Sequence, residues 1–193
     1  MIKSINYVLP LLLVSLLIGS CESNKKTTQS NKDDIVNSKY SIASAEYEEL
    51  VAEALNHIEK FEFVELGHMV SDDIEYYLPD GGEESRTRFI GKEAFMNFWN
   101  TYQDKTGLDN WTVTNVVSFP FQIHNKLAYS NIDGIAVSTY FSLNLKFGEQ
   151  ETDIRANWAF HFNEDKKIDK LYTYYDRTPI IEAAQLNVLK LEL

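Results

Sequence analysis

From Trp111 onward the hydrophobic period of this chain changes from about 3.6 residues to 2, and it holds that value almost to the C-terminus. Four segments carry the alternation: "WTVTNVVSFPFQIHNKLAYS" from Trp111, "IAVSTYFSLNLKF" from Ile135, "ETDIRANWAFHF" from Glu151 and "IDKLYTYYDR" from Ile168. The turn sequences "NIDG", "FGEQ" and "NEDKK" separate them. A period of 2 gives each strand one buried and one wetter face, and connections this short join antiparallel neighbours. The reading is a meander of long antiparallel strands, the first of them either continuous or a pair broken near Pro120. Long strands twist, and a twisted sheet of this length curls.

The residues before Trp111 read as helices with one strand among them. Tyr47, Leu50, Val51, Ala54, Ile58 and Phe61 recur at helical spacing, with Ser44 placed to cap the N-terminus. A short helix is expected over Phe63 to Met69. A strand follows from Asp73 to Pro79 and is stopped by the proline and the turn residues of "PDGGEES". "GKEAFMNFWNTYQ" forms a further helix with Ala94, Phe95, Phe98, Trp99 and Tyr102 on its buried side, and a final helix is expected from Pro179 to Leu189. Helices first and strands afterwards indicate an α+β domain whose curved antiparallel sheet is capped by helices. Such a sheet encloses a cone-shaped pocket.

The N-terminus has a separate character. Lys3 precedes the apolar run "YVLPLLLVSLLI", which is followed by Gly19, Ser20 and Cys21. A basic start, an apolar stretch and small residues describe a secretory signal. The run is shorter than the roughly 20 residues a bilayer span requires. Its ending, "LIGSC", resembles the lipobox of bacterial lipoproteins. That resemblance implies cleavage before Cys21, lipidation of its thiol and a lipid-anchored place in the bacterial cell envelope, the acyl chains being palmitate-like. Residues 1–20 are thus expected to be a signal peptide, 21–44 a flexible polar tether and 45–193 the folded domain. The chain has one cysteine, so the fold cannot hold an internal disulfide. A net charge of −11 gives no basic footprint for nucleic acid.

The order of several segments resembles the nuclear transport factor 2-like (NTF2-like) superfamily, and within it the SnoaL-like polyketide cyclases. The helix pair before "SDDIEYYLPDG", the glycine-opened helix of "FIGKEAFMNFW", the entry "LDNWTVTNV" and the closing "FHFNEDKKIDKLYTYYDRTPIIEAAQL" carry it, over about Ala45 to Val188. The resemblance implies a cone-shaped fold, dimers formed across the sheet and a cavity that binds or transforms small, mostly apolar molecules. It also implies a general acid/base at the position of Asp176. Three roles stay open for that residue: acid/base catalysis, a ligand hydrogen bond, and a structural role as a helix cap or ion-pair partner.

Alternation puts Tyr172, Tyr174 and Asp176 on one face of the last strand and Leu171, Thr173, Tyr175 and Arg177 on the other. The residues expected to line a ligand pocket are Tyr172, Tyr174, Trp158, Phe160 and Trp99. Asn157 and His161 share the face opposite Trp158, Phe160 and Phe162. Ketosteroid isomerases, which share the fold the resemblance implies, place a general base just before a proline of the first strand, where this chain has Leu78 before Pro79; of the Asp-Arg-Asp set of the superfamily's epoxide hydrolases, Asp176 and Arg155 could supply two members. The four histidines have no metal-ligand spacing, so no metal and no cofactor is implied. Two functions follow: a membrane-anchored domain that binds a small hydrophobic ligand or a partner through its pocket or sheet face, or a SnoaL-like enzyme using Asp176. For the anchor, Cys21→Ser is expected to leave the protein unlipidated and released from membranes on fractionation; unchanged retention would refute the lipoprotein reading.

Overall fold

The computed structural model describes residues 38–82, 84–128, 130, 132–187 and 189. The signal sequence, Cys21 and most of the expected tether lie outside the described residues. No described helix is long and apolar enough to cross a membrane.

In chain order the elements are β1 (Tyr40–Ile42), α1 (Glu46–Glu59), α2 (Phe63–Met69), β2 (Val70–Tyr77), β3 (Arg88–Ile90) and α3 (Lys92–Thr106). Then come β4 (Leu108–Ile123), β5 (Gly134–Phe147), β6 (Gln150–Phe162), β7 (Ile168–Tyr175) and α4 (Thr178–Ala184). One seven-stranded sheet has the order β1-β4-β5-β6-β7-β2-β3. Every pairing is antiparallel except β2 beside β7. This is the expected α+β architecture, with the helices on one face of the sheet.

The amphipathic reading of α1 is correct: Val51, Ala54, Leu55 and Ile58 are buried, and Glu46, Glu48 and Glu49 occupy the first turn, where carboxylates favour the helix dipole. The helix ends when Phe61 takes φ 57°, which lets the Glu62 N–H reach the His57 carbonyl and the Phe61 N–H reach that of Ile58. This is a Schellman ending, normally built on glycine. α3 instead uses glycines, with Gly91 at φ 89° before it and Gly107 at φ 68° after it.

Alternation on β5, β6 and β7 sorts the side chains by face. Val137, Phe141, Leu143 and Leu145, then Ile154, Trp158 and Phe160, then Leu171 all point inward and are buried under the helices. Trp99 of α3 lies 6.1 Å from Trp158 and stacks on Tyr76 of β2 at 5.9 Å. Offset and edge-on ring pairs of this kind add to the area they bury.

Several boundaries differ from the sequence reading. Tyr40–Ile42, within the segment read as tether, pair with Phe121–Ile123 as an edge strand. The first long strand is not broken at Pro120. The Pro120 carbonyl accepts the Ala43 N–H, so its ring nitrogen also faces the β1 side, beyond the end of β1, where no ladder bond is lost. The irregularity falls instead between Thr114 and Val117, where Asn115 has φ 52°. β4 ends at Ile123, so the connection to β5 is a long loop rather than a tight "NIDG" turn; Asn131 lies outside the described residues. β3 was not anticipated, and α4 stops at Ala184.

Truncating the largest fully buried ring, Trp158→Ala, is expected to cost about 3–5 kcal/mol of stability, the usual range for an aromatic core truncation, read as a lower midpoint of denaturant unfolding.

Candidate functional site

The last strand divides the expected pocket residues. Leu171, Thr173 and Tyr175 face the helices, whereas Tyr172 and Tyr174 stand on the outer face of the sheet. Of the five residues expected to line one pocket, only Trp99 and Trp158 line the interior cavity. Phe160 lies in the same core, 6.1 Å from Trp158, and does not line it. Tyr172 and Tyr174 are corrected to the opposite side because the pleat alternates strictly through Tyr175.

The interior cavity measures about 10 Å³, room for one water-sized group. It is walled by Tyr76, Tyr102, Trp111, Tyr175, Trp99 and Trp158 together with aliphatic side chains and Phe98; none of its lining residues is a carboxylate or a histidine. Burial pushes the Tyr76, Tyr102 and Tyr175 phenols up, and Tyr175 adds to the upward shift of the other two.

Tyr175 also lines a second, open cleft of about 520 Å³ at the mouth of the cone, with Pro79, Asp80, Gly81, Arg86, Tyr174 and Arg177. Arg86 organises this cleft. Its Nε donates to the Leu78 carbonyl at 2.5 Å, Nη2 to the Thr173 carbonyl at 2.6 Å and Nη1 to the Tyr174 hydroxyl at 3.1 Å. The guanidinium sits 4.5 Å from the Tyr174 ring centre and 5.6 Å from that of Tyr172, within cation–π range. Asp80 accepts from the Thr87 N–H and hydroxyl at 3.0 and 2.7 Å, which folds the turn that delivers Arg86. In sequence Arg86 is one cation after a turn, with no signal beyond its distance from the strands it bridges.

Asp176 lines neither cavity. It is exposed, and its carboxylate accepts the Thr178 N–H at 2.9 Å at the start of α4. Bonds from the Thr178 backbone and side chain hold its pKa below the usual value. A general acid in an apolar cavity needs the opposite shift. The geometry therefore corrects the acid/base expectation and matches the helix-start role. Arg155 is also engaged structurally: it donates to the Asn115 carbonyl at 3.2 Å and to Ser142 Oγ at 3.1 Å, bracing the bulge in β4.

His161 stands on the outer face, opposite Trp158 and Phe160, but is only 9% exposed. The β4–β5 loop covers this part of the sheet, burying Ile132 against Tyr172, Ile123 and Ala136. Nδ1 of His161 faces the Asp169 carboxylate and Nε2 faces the Asp133 carbonyl, both at 2.5 Å. Two acceptors can both be satisfied only by a protonated ring. Burial opposes that charge, but the bonds to Asp169 and Asp133 outweigh it and raise the pKa.

No family model matches this sequence, and no curated protein matches it. Solved structures do, and they show the fold: the chain has the NTF2-like fold. A candidate polyketide cyclase from Silicibacter sp. TM1040 superposes with a TM-score of 0.56 at 15% identity, covering 74% of this chain and 98% of its own. One from Xanthomonas campestris pv. campestris gives 0.55 at 15%, covering 72% and 96%. An NTF2-like protein from Anabaena variabilis gives 0.51 at 14%, covering 70% and 93%.

The His161 geometry makes a pH prediction. Its folded pKa lies above the ordinary value of 6.5, so its stabilisation is fully present below pH 6.5 and is lost as pH rises through the folded value. Denaturant unfolding across this range is expected to show a decline on the alkaline side that His161→Gln flattens; identical profiles would refute the charged-latch reading.

Proposed function

We propose that this protein is a lipid-anchored envelope protein whose NTF2-like domain binds a small, largely hydrophobic molecule at the mouth of its cone. The observation that carries the reading is the shared wall: Tyr175 lines both the open cleft and the interior aromatic cavity. A ligand in the cleft meets the Tyr174 and Tyr175 rings with the cations Arg86 and Arg177 beside them, a setting for a flat molecule with a polar edge. Because Arg86 uses its backbone bonds to stay in place, Arg177 is the cation left to turn toward a ligand. Anchoring rests on the lipobox resemblance. A homodimer, if formed, would use the outer sheet face, where Val117, Phe119 and Tyr140 are exposed.

The enzyme reading draws on the cyclase descriptions of the structural neighbours, and the exposed, helix-bound Asp176 weighs against it. Native mass spectrometry of the gently purified protein is expected to show a bound small molecule. Tyr174→Ala and Arg177→Ala should reduce its occupancy, while Asp176→Asn should leave it unchanged. Turnover of a carbonyl compound abolished by Asp176→Asn would favour the enzyme instead.

A further inference from the structure

The outer face of the sheet carries an apolar patch that neither the core nor the mouth cleft uses. Strand register fixes its members. Tyr40 stands opposite Ile123 and Ile42 opposite Phe121, so both β1 side chains share the face of Phe119 and Val117 further back along β4. Val117 pairs in turn with Tyr140 of β5. Ile42 is 86% exposed, the most exposed of the large apolar residues described, and Tyr40, Val117, Phe119 and Tyr140 are exposed as well. The rings meet edge-on, Tyr40 with Phe121 at 5.9 Å and Phe119 with Tyr140 at 6.3 Å, which braces them against the sheet. No Asp or Glu occupies an outward position on this stretch, in a chain that has 29 of them. The next outward positions, Ser138 on β5 and Asn157 and Ala159 on β6, are uncharged too, and the first charges beyond them on β6 are Arg155 and His161.

We infer that this patch docks the domain on the bilayer surface that holds its anchor, with Tyr40, Ile42, Val117, Phe119 and Tyr140 at the level of the lipid head groups. This rests on the lipid-anchored reading above and adds the surface on which the domain lies. Tyrosine and phenylalanine rings with aliphatic side chains and no carboxylate are the composition that enters the boundary between head groups and acyl chains. Position selects the same partner. β1 is the element at which the segment leading from Cys21 enters the fold, and it carries the most exposed apolar side chain. The chain from Cys21 to Tyr40 spans at most about 65 Å when fully extended. A linker of that order holds the face near the bilayer at an effective concentration of order millimolar, so a patch too weak to bind alone is occupied. A second copy has no such advantage, because its encounter depends on protein concentration. The net charge of −11 sets the lipid class: anionic head groups repel the domain, and neutral ones accept the patch.

The test puts a polarity-sensitive dye on each side of the domain. In the processed, membrane-purified chain the one native cysteine is lipidated, so Ile42→Cys, Phe119→Cys and, on the exposed side of α3, Asn100→Cys each offer a single thiol for an NBD label. The membranes are phosphatidylcholine vesicles, with or without bromine on the acyl chains. The dyes at 42 and 119 are expected to shift to the blue and to be quenched by bromine, and the dye at 100 to do neither. In a second arm the full chain with Cys21→Ser, which has no anchor, is mixed with the same vesicles. It is expected to partition weakly, and adding Ile42→Ser and Phe119→Ser together is expected to weaken that partition at least about tenfold, as the loss of two apolar side chains implies. The denaturant midpoint stays near its original value, because both residues are exposed. An anchored chain that floats with the vesicles while its dyes at 42 and 119 remain as hydrated as that at 100 would overturn docking and leave the anchor intact. A chain with Cys21 that binds vesicles no better than the Cys21→Ser chain, both weakened by the double serine change, would overturn the anchor and support the face. Blue shifts that ignore bromine, rise with protein concentration and accompany a doubled mass would overturn lipid docking in favour of a second copy.

Discussion

The aromatic packing of Trp158 against Trp99 and Tyr76 is the contact on which the rest of this molecule depends. Trp158 belongs to the middle of the sheet, Trp99 to the capping helix and Tyr76 to the strand that returns beside β7. One cluster therefore joins the meander, the helical cap and the parallel pairing of β2 with β7. It also fills the cone almost completely, leaving a void of about 10 Å³. Filling has a functional consequence. A large ligand cannot rest wholly inside, which is why the proposed recognition is placed at the open cleft lined by Tyr174, Tyr175 and Arg177.

The mouth is held open by a second arrangement. Arg86 spans from the β2–β3 connection to the end of β7 through two backbone carbonyls and a tyrosine hydroxyl. Each bond is charge-assisted, and the guanidinium plane also meets tyrosine rings, so the loop is fixed at the sheet surface rather than left to swing. On the same outer face His161 ties the β4–β5 loop down through the Asp133 carbonyl, assisted by the Tyr172 hydroxyl donating to the Ser130 carbonyl at 3.3 Å. Polar residues that look incidental in sequence thus hold two loops over an otherwise simple sheet.

The fate of Asp176 shows how position and chemistry separate. It stands where the resemblance places an acid/base, one residue beyond the last strand. Yet the chain turns there into α4, and the carboxylate is taken by the Thr178 N–H. A residue can keep its place in a fold while its surroundings assign it different work.

By itself the sequence determined the class of fold, because hydrophobic periodicity is a local property. The switch to a period of 2 after Trp111 and the helical stripe through Val51, Ala54 and Ile58 name their elements without reference to distant residues. Alternation likewise separated Trp158 and Phe160 from Asn157 and His161, and Tyr172 from Tyr175, correctly. What it could not assign was which of those faces is interior, and so which tyrosines meet which cavity. Only the tertiary structure decided that, because helix docking from Trp99 and Phe98 selects the buried face. The same holds for the parallel partnership of β2 with β7, the reach of Arg86 to Thr173 and the meeting of three tryptophans from a helix and two strands. Each joins residues far apart in the chain, and no local pattern records a contact that exists only after the sheet has curled.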